Sequence, residues 1–329
     1  MCAEKLLQLP STEKYYSMYL KKGRPCINEY QSSLQFIDQR FPDFRQLERL
    51  DWKVVGEPLL EFIHGIHGDE DLGNSWEKFI PNAGINNYLI VSNANPLALA
   101  IGKRGFIRPL TKKEKLQKKQ GIVTINGKEG KLIDLNRAFC KLNDQVPLEE
   151  IRNSLLDNQA RLLLELALKY PSTDIINLHG DPQFGHFDEG IGNFDPQLGQ
   201  RDGFYIYYNH NEPDKRILEI LRESLSSLLG YNFHLAEGVI DKDPIVGNIK
   251  ADNGLILQPA VRKDGTRPED PTLEGLLLRL GELGLTQTKS VLTIEVPMGL
   301  SPARKDLLME ILALTLFKPL YDLKRSKNK

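Results

Sequence analysis

Residues 148–170 restrict most strongly what this chain can fold into. Leu148, Ile151, Leu155, Leu162 and Leu166 lay out a broad apolar face at helical spacing, Pro171 stops it, and Ile175-Ile176-Asn177-Leu178 follows as a mostly apolar run. An amphipathic helix that turns straight into a short strand buried on both faces is the repeating unit of an α/β fold. The same alternation recurs along the chain. Strands are expected at 88–91, 204–208 and 291–296, and helices at 72–80, 212–230, 273–283 and 303–323. Residues 52–63, with Val54 and Val55 before Gly56-Glu57-Pro58 and Leu59 after it, predict a hairpin. The glycine- and proline-rich stretch 230–271 reads as loop, and residues 1–50 as a mostly helical, polar extension that packs on a core formed by 51–329.

A chain of 329 residues with a formal charge of −1 shows neither the basic excess of a nucleic-acid binder nor a polybasic membrane surface. No apolar run is long enough to span a bilayer, and residues 1–20 mix Glu4, Lys5, Glu13 and Lys14 into what would have to be a signal core. Cys2, Cys26 and Cys140 are odd in number and irregularly spaced, which excludes a disulfide framework or a thiolate metal site; Cys140 is expected to be a small buried residue. The expected setting is cytoplasmic, with no nucleic-acid and no membrane partner. The lysine-dense segment 112–120 reads as a solvated loop or surface helix.

Three polar side chains stand where apolar, strand-like runs end: His67 after 59–63, His179 after 175–178, and Glu295 within 291–296. Ligands of open α/β sheets bind beyond the carboxyl ends of the strands, so these three can meet in one crevice. Glu70 lies three residues after His67, a spacing that turns an imidazole and a carboxylate toward one ion. Two histidines and a glutamate form the protein shell of a hydrolytic zinc site. That assigns His67, Glu70 and His179 to one metal ion and leaves Glu295 to act on water. His64 is expected to be a packing residue, and His186, His210 and His234 are expected on the surface or in loops. Asp181, Asp188, Glu189 and Asp195 read as a solvated acidic loop.

Gly65 to Glu70 (G-x-H-G-D-E), Asn95-Pro96, Asp134-Leu135-Asn136-Arg137, Leu178-His179 and Ile294-Glu295 stand in the order found in the zinc metallocarboxypeptidase superfamily, which this chain resembles across roughly residues 52–318. That superfamily includes carboxypeptidases, murein peptide amidases and the succinylglutamate desuccinylase/aspartoacylase branch. The resemblance implies a mixed central sheet flanked by helices, one zinc ion held by His67, Glu70 and His179, and Glu295 as general base. It further implies that Asn136 and Arg137 hold a substrate carboxylate, for which a guanidinium fork is well shaped. Arg104, with Arg108 as the alternative, would polarise the scissile carbonyl and stabilise its oxyanion. The implied substrate is a small peptide or acylated amino acid with a free carboxylate. Three readings follow: a carboxypeptidase- or amidase-like hydrolase, an N-acyl amino acid deacylase, and a zinc protein that binds carboxylates without cleaving them. Two features depart from the pattern. Carboxypeptidases place a mobile tyrosine before the strand of the general base, yet residues 254–290 contain none and Tyr231 is the nearest upstream. The acylase branch usually adds a β-rich domain after its glutamate, whereas the 34 residues after Glu295 read as a helix with a basic tail.

Overall fold

The computed structural model describes residues 51–67, 70, 72, 75–95, 106–109, 122–125, 128–133, 135–137, 158–171, 174–181, 194–195, 199–200, 203–243, 247–259, 272–297 and 300–327. The expected extension 1–50, the lysine-dense segment 112–120, Arg104, Cys140, His186, Asp188 and Glu189 lie outside these residues.

Fourteen strands appear among the described residues: β1 (Asp51–Val55), β2 (Leu60–His64), β3 (Tyr88–Asn93), β4 (Phe106–Pro109), β5 (Ile122–Ile125), β6 (Lys128–Ile133), β7 (Asp174–Asp181), β8 (Phe194–Asp195), β9 (Gly199–Gln200), β10 (Tyr205–His210), β11 (Gly238–Asp243), β12 (Gly247–Ala251), β13 (Leu255–Pro259) and β14 (Ser290–Pro297). The helices are α1 (Phe79–Asn82), α2 (Asn158–Lys169), α3 (Lys215–Gly230), α4 (Leu273–Glu282), α5 (Pro302–Leu312) and α6 (Lys318–Lys327).

Seven strands form one mixed sheet in the order β1-β3-β2-β7-β14-β10-β13. Strands β3, β2, β7 and β14 run parallel, while β1 and β10 are antiparallel to their neighbours β3 and β14. The fold is therefore α/β with a mixed central sheet between helical layers. Even-numbered residues of the central strands (Leu60, Phe62, Ile176, Leu178, Leu292, Ile294) pack against α3, α5 and α6. Odd-numbered ones (Ile63, Ile175, Val291) pack against α2 and α4. The two-residue period of a strand separates the layers, and burial on both sides explains why these strands read as continuous apolar runs. At the base of the sheet, Lys324 of α6 forms a buried ion pair with Asp174 at 2.7 Å, and the Ser290 hydroxyl donates to the same carboxylate at 2.7 Å. Among the described residues no helix is long and apolar enough to cross a membrane.

Four expectations are corrected. β1 and β2 are not a hairpin, because β3 lies between them and pairs with both. The tight turn at Gly56 (φ +63°) reverses the local direction of the chain, but all five residues of β2 are buried and the strand takes a central place between β3 and β7. The stretch 230–271 contains β11, β12 and β13, and β13 extends the main sheet alongside β10. The helix expected at 72–80 is reduced to a 3-10 turn (Ser75–Lys78) and the short α1. His210 is buried in β10 at 5% exposure rather than lying in a loop, whereas His234 is exposed as expected. The helix expected at 303–323 is α5 and α6 joined through a π turn (Ala313–Phe317).

Candidate metal centre

The chain leaves β2 at the carboxyl edge of the sheet through Gly65, whose φ of +77° suits glycine and whose missing side chain makes room for Asn93; a Cβ there would stand 2.7 Å from Asn93 Oδ1. The segment after β2 is then stitched to the segment after β3. Ala94 N–H donates to His64 O at 2.7 Å, and the Asn95 amide donates to Ile66 O at 3.3 Å. A turn in which Glu70 N–H donates to His67 O at 3.3 Å swings the glutamate back toward the histidine. The H-x-x-E spacing brings the two side chains together with a backbone hydrogen bond closing from Glu70 to His67.

His179 arrives from β7, two strand positions beyond Asn177 on the same sheet face. His67 Nδ1 lies 2.7 Å from Glu70 Oε1 and His179 Nδ1 lies 3.1 Å from Glu70 Oε2, with the two imidazoles edge-to-face at 5.1 Å. Gly180 N–H also donates to Glu70 Oε2 at 3.3 Å. One ligand atom from each of His67, Glu70 and His179 falls within 4.8 Å of the others, and all three residues are buried. Ligand atoms about 2 Å from a tetrahedral ion stand roughly 3.3 Å apart, so the spacing and the two-imidazole, one-carboxylate donor set fit such an ion. Burial pushes the Glu70 carboxyl up, but hydrogen bonds from His179 and His67 outweigh it and hold the group well below the usual carboxylate range. Burial likewise pushes the His179 imidazole down, yet the Glu70 hydrogen bond, together with the charges of Glu70, Glu295 and Glu274, raises it to about 9. Both imidazoles hydrogen-bond to the Glu70 carboxylate, and a cation set among these ligand atoms can take the place of the hydrogens between them.

Glu295 stands directly across from His179 in the parallel pairing of β14 with β7. Paired residues of neighbouring strands share a face, so Glu295 lies beside the ligand cluster without belonging to it. It is only partly buried.

Asn136 lies among the described residues. It is buried in a 3-10 turn (Leu135–Arg137), and its Oδ1 accepts from Leu273 N–H at 2.9 Å, so its oxygen holds the start of α4. The backbone of Arg137 continues that turn, its side chain lies outside the described residues, and Arg104 lies outside them altogether. Arg108 is in β4. Tyr231 caps α3 in the opposite helical layer, where Arg304 donates to its carbonyl at 3.1 Å, so it does not share the sheet face of Glu295.

His64 faces the other side of the sheet. Its Nδ1 donates to Leu178 O at 3.1 Å, its Nε2 accepts from Leu72 N–H at 3.4 Å, and its ring meets Trp76 edge-on at 6.0 Å. The one-residue step from Ile63 to His64 is what carries it away from the ligand cluster. His64→Ala leaves two buried backbone groups without partners and opens a void, so a stability loss of about 2–4 kcal/mol is expected. Metal stoichiometry is expected to stay at the wild-type value; its loss in this variant would place His64 among the ligands instead.

Three polar residues beside the cluster were not singled out from the sequence: Asn177, Thr293 and Glu274. Asn177 and Thr293 are legible in retrospect, because each lies two residues before His179 or Glu295 and so faces the same side of its strand. Glu274 sits among leucines in α4, where nothing local distinguishes it from an ordinary exposed first-turn glutamate.

No protein-family model matches this chain, and no curated protein matches it. Among solved structures, it is similar to a candidate metallopeptidase from Shewanella baltica, at 19% identity over 89% of this chain and 91% of that one, with a TM-score of 0.43. A candidate carboxypeptidase A from Shewanella denitrificans aligns at 14% identity over 89% and 69% of the two chains, with a TM-score of 0.43. The product-bound cell shape determinant protein Csd4 from Helicobacter pylori aligns at 15% identity over 80% and 54%, also with a TM-score of 0.43.

Proposed function

We propose that this protein is a zinc-dependent hydrolase that cleaves an amide bond next to a free carboxylate, in the manner of a carboxypeptidase or peptide amidase. The observation that carries the reading is the register of β14 on β7, which sets a partly exposed carboxylate, Glu295, across from His179 and beside the convergent His67, Glu70 and His179. Zinc, when bound, supplies Lewis acidity that polarises an amide carbonyl and makes water nucleophilic near neutral pH. Glu295 takes the proton that the attacking water loses and delivers it to the departing amine, a role open to a carboxylate held next to the reacting centre. Arg137 pairs with the substrate carboxylate, and Arg104 stabilises the oxyanion that develops on the scissile carbonyl. The hydrogen bond from Leu273 N–H to Asn136 ties the start of α4 to the 3-10 turn whose backbone includes Arg137. Binding alone would give Glu295 no task, which argues against a non-catalytic carboxylate binder.

A deacylase of N-acyl amino acids is the second reading. Asn95-Pro96 with Arg104 eight residues later, and Asn136-Arg137-Ala138-Phe139, are the sequence features that favour it. Both readings use the same zinc, base and clamp and differ in what lies on the acyl side of the bond. The test is turnover by purified, zinc-loaded protein on short peptides with varied C-terminal residues, on murein peptides and on N-acyl amino acids. Release of C-terminal residues supports the first reading, and turnover confined to acylated amino acids replaces it with the second. Carboxylate binding without turnover of any of the three would leave only the non-catalytic role.

A further inference from the structure

An imidazole that binds a metal ion through Nδ1 carries its hydrogen on Nε2, and that hydrogen needs an acceptor. For His179 the question is sharp, because Nδ1 points to Glu70 and Nε2 points into the layer between the sheet and α4. There Asn177 Nδ2 lies 2.9 Å away and Glu274 Oε1 lies 3.8 Å away. The Asn177 amide also donates to that Glu274 oxygen, and the Thr293 hydroxyl donates to it at 3.1 Å. Asn177 Oδ1 is buried without a partner.

Two acceptors can be compared. Turning the Asn177 amide over would offer its oxygen to Nε2–H, but would also press that oxygen against the Glu274 carboxylate, and the present hydrogen bond would become a repulsion. Glu274 Oε1, 3.8 Å from Nε2, becomes the acceptor once the Asn177 NH2, which faces Nε2 at 2.9 Å, shifts aside, and this carboxylate already collects hydrogens from Asn177 and Thr293. Glu274 is also buried, and among the described residues no lysine or arginine pairs with it. A carboxylate withdrawn from water is costly unless a positive group compensates it, and the cation-bearing His179 ring is the positive group within reach. Its backbone is pinned on both sides: Leu273 N–H donates to Asn136 at 2.9 Å, and Thr272 caps the helix by accepting from Gly275 N–H at 3.3 Å.

We propose that Glu274 is a positioning residue of the metal centre: it accepts the Nε2 hydrogen of His179, fixes the ring with Nδ1 toward the ion, and strengthens it as a ligand. The proposal rests on the zinc reading of His67, Glu70 and His179. It also couples the site to the segment of Asn136 and Arg137, because one helix turn holds both.

The test is zinc affinity of the full-length protein, measured by competition with a chromophoric chelator, in wild type, Glu274→Gln and Thr293→Val. Outer carboxylates of this kind are typically worth about 10–100-fold in metal affinity. Glu274→Gln keeps the shape but loses the charge, so a loss of about that size is expected, with a smaller loss of about threefold for Thr293→Val. The cobalt-substituted Glu274→Gln protein is expected to show shifted d–d bands, a change that a remote packing defect would not produce. Zinc affinities within twofold of wild type in both variants, with an unchanged cobalt spectrum, overturn the proposal. A wild-type protein that binds no zinc is a different result and removes the metal reading itself. Thr293→Val alone decides the matter should Glu274→Gln fail to fold.

Discussion

Turnover by the Glu295→Gln variant is expected to fall about 10²–10⁴-fold while its zinc content equals that of wild type. The amide has the shape of the carboxylate but cannot take a proton from water, so the variant removes the chemical role and little else. The retention of zinc follows from position. Glu295 is on β14, one strand over from His179, whereas the ligand atoms come from the turn after β2 and from β7. Partial exposure makes the substitution mild for folding, since neither form is forced into a dry interior. Metal analysis and steady-state kinetics on the same preparation give the answer. Activity within tenfold of wild type would remove Glu295 as the base, and loss of zinc would move it into the ligand set.

Much of the site was legible because its residues interrupt apolar strands at their carboxyl ends. His67, His179 and Glu295 each break such a run, and the parallel register of β2, β7 and β14 carries all three interruptions to the same edge of the sheet. The parity of strand positions also explains His64: one step from Ile63 turns its ring into the other helical layer. Strand order was not legible in the same way. The insertion of β3 between β1 and β2 is decided by which strands bury both faces, a non-local competition that the turn at Gly56 does not reveal. Strands β11, β12 and β13 were hidden for a related reason. They are short, their turns are rich in glycine, and only β13 joins the main sheet. Glu274 was invisible because its environment is made by β7 and β14, more than a dozen residues away on either side. The resemblance to a zinc hydrolase family pointed to Asn136 as a substrate group, and the structure adds that its oxygen is engaged by α4.

The second large effect concerns Glu61, on the same sheet face as His179 but deeper in β2. Its side chain is buried, its Oε2 has no partner, and its strand neighbours on that face are Leu89 and Ile175. Burial alone raises the carboxyl from its ordinary 4.5 to about 8. The sign of the linkage follows: the folded protein keeps the proton while the unfolded chain has lost it, so stability falls as pH rises through the unfolded value and keeps falling until about 8. Below pH 4.5 the group is neutral in both states and costs little. At about 1.4 kcal/mol for each tenfold in proton affinity, the full penalty above pH 8 is on the order of 4–5 kcal/mol. Glu61→Gln cannot ionise, so its advantage over wild type is expected to be near zero at pH 4, to grow between pH 5 and 8, and to level off above that. Urea unfolding of both proteins in chelator at pH 4, 6 and 8.5 measures this difference with the metal contribution removed from each. A difference that stays flat from pH 4 to 8.5 would mean that Glu61 finds a partner or water in solution. A difference that rises as described makes this one carboxyl a main source of alkaline instability in the sheet that carries the metal centre.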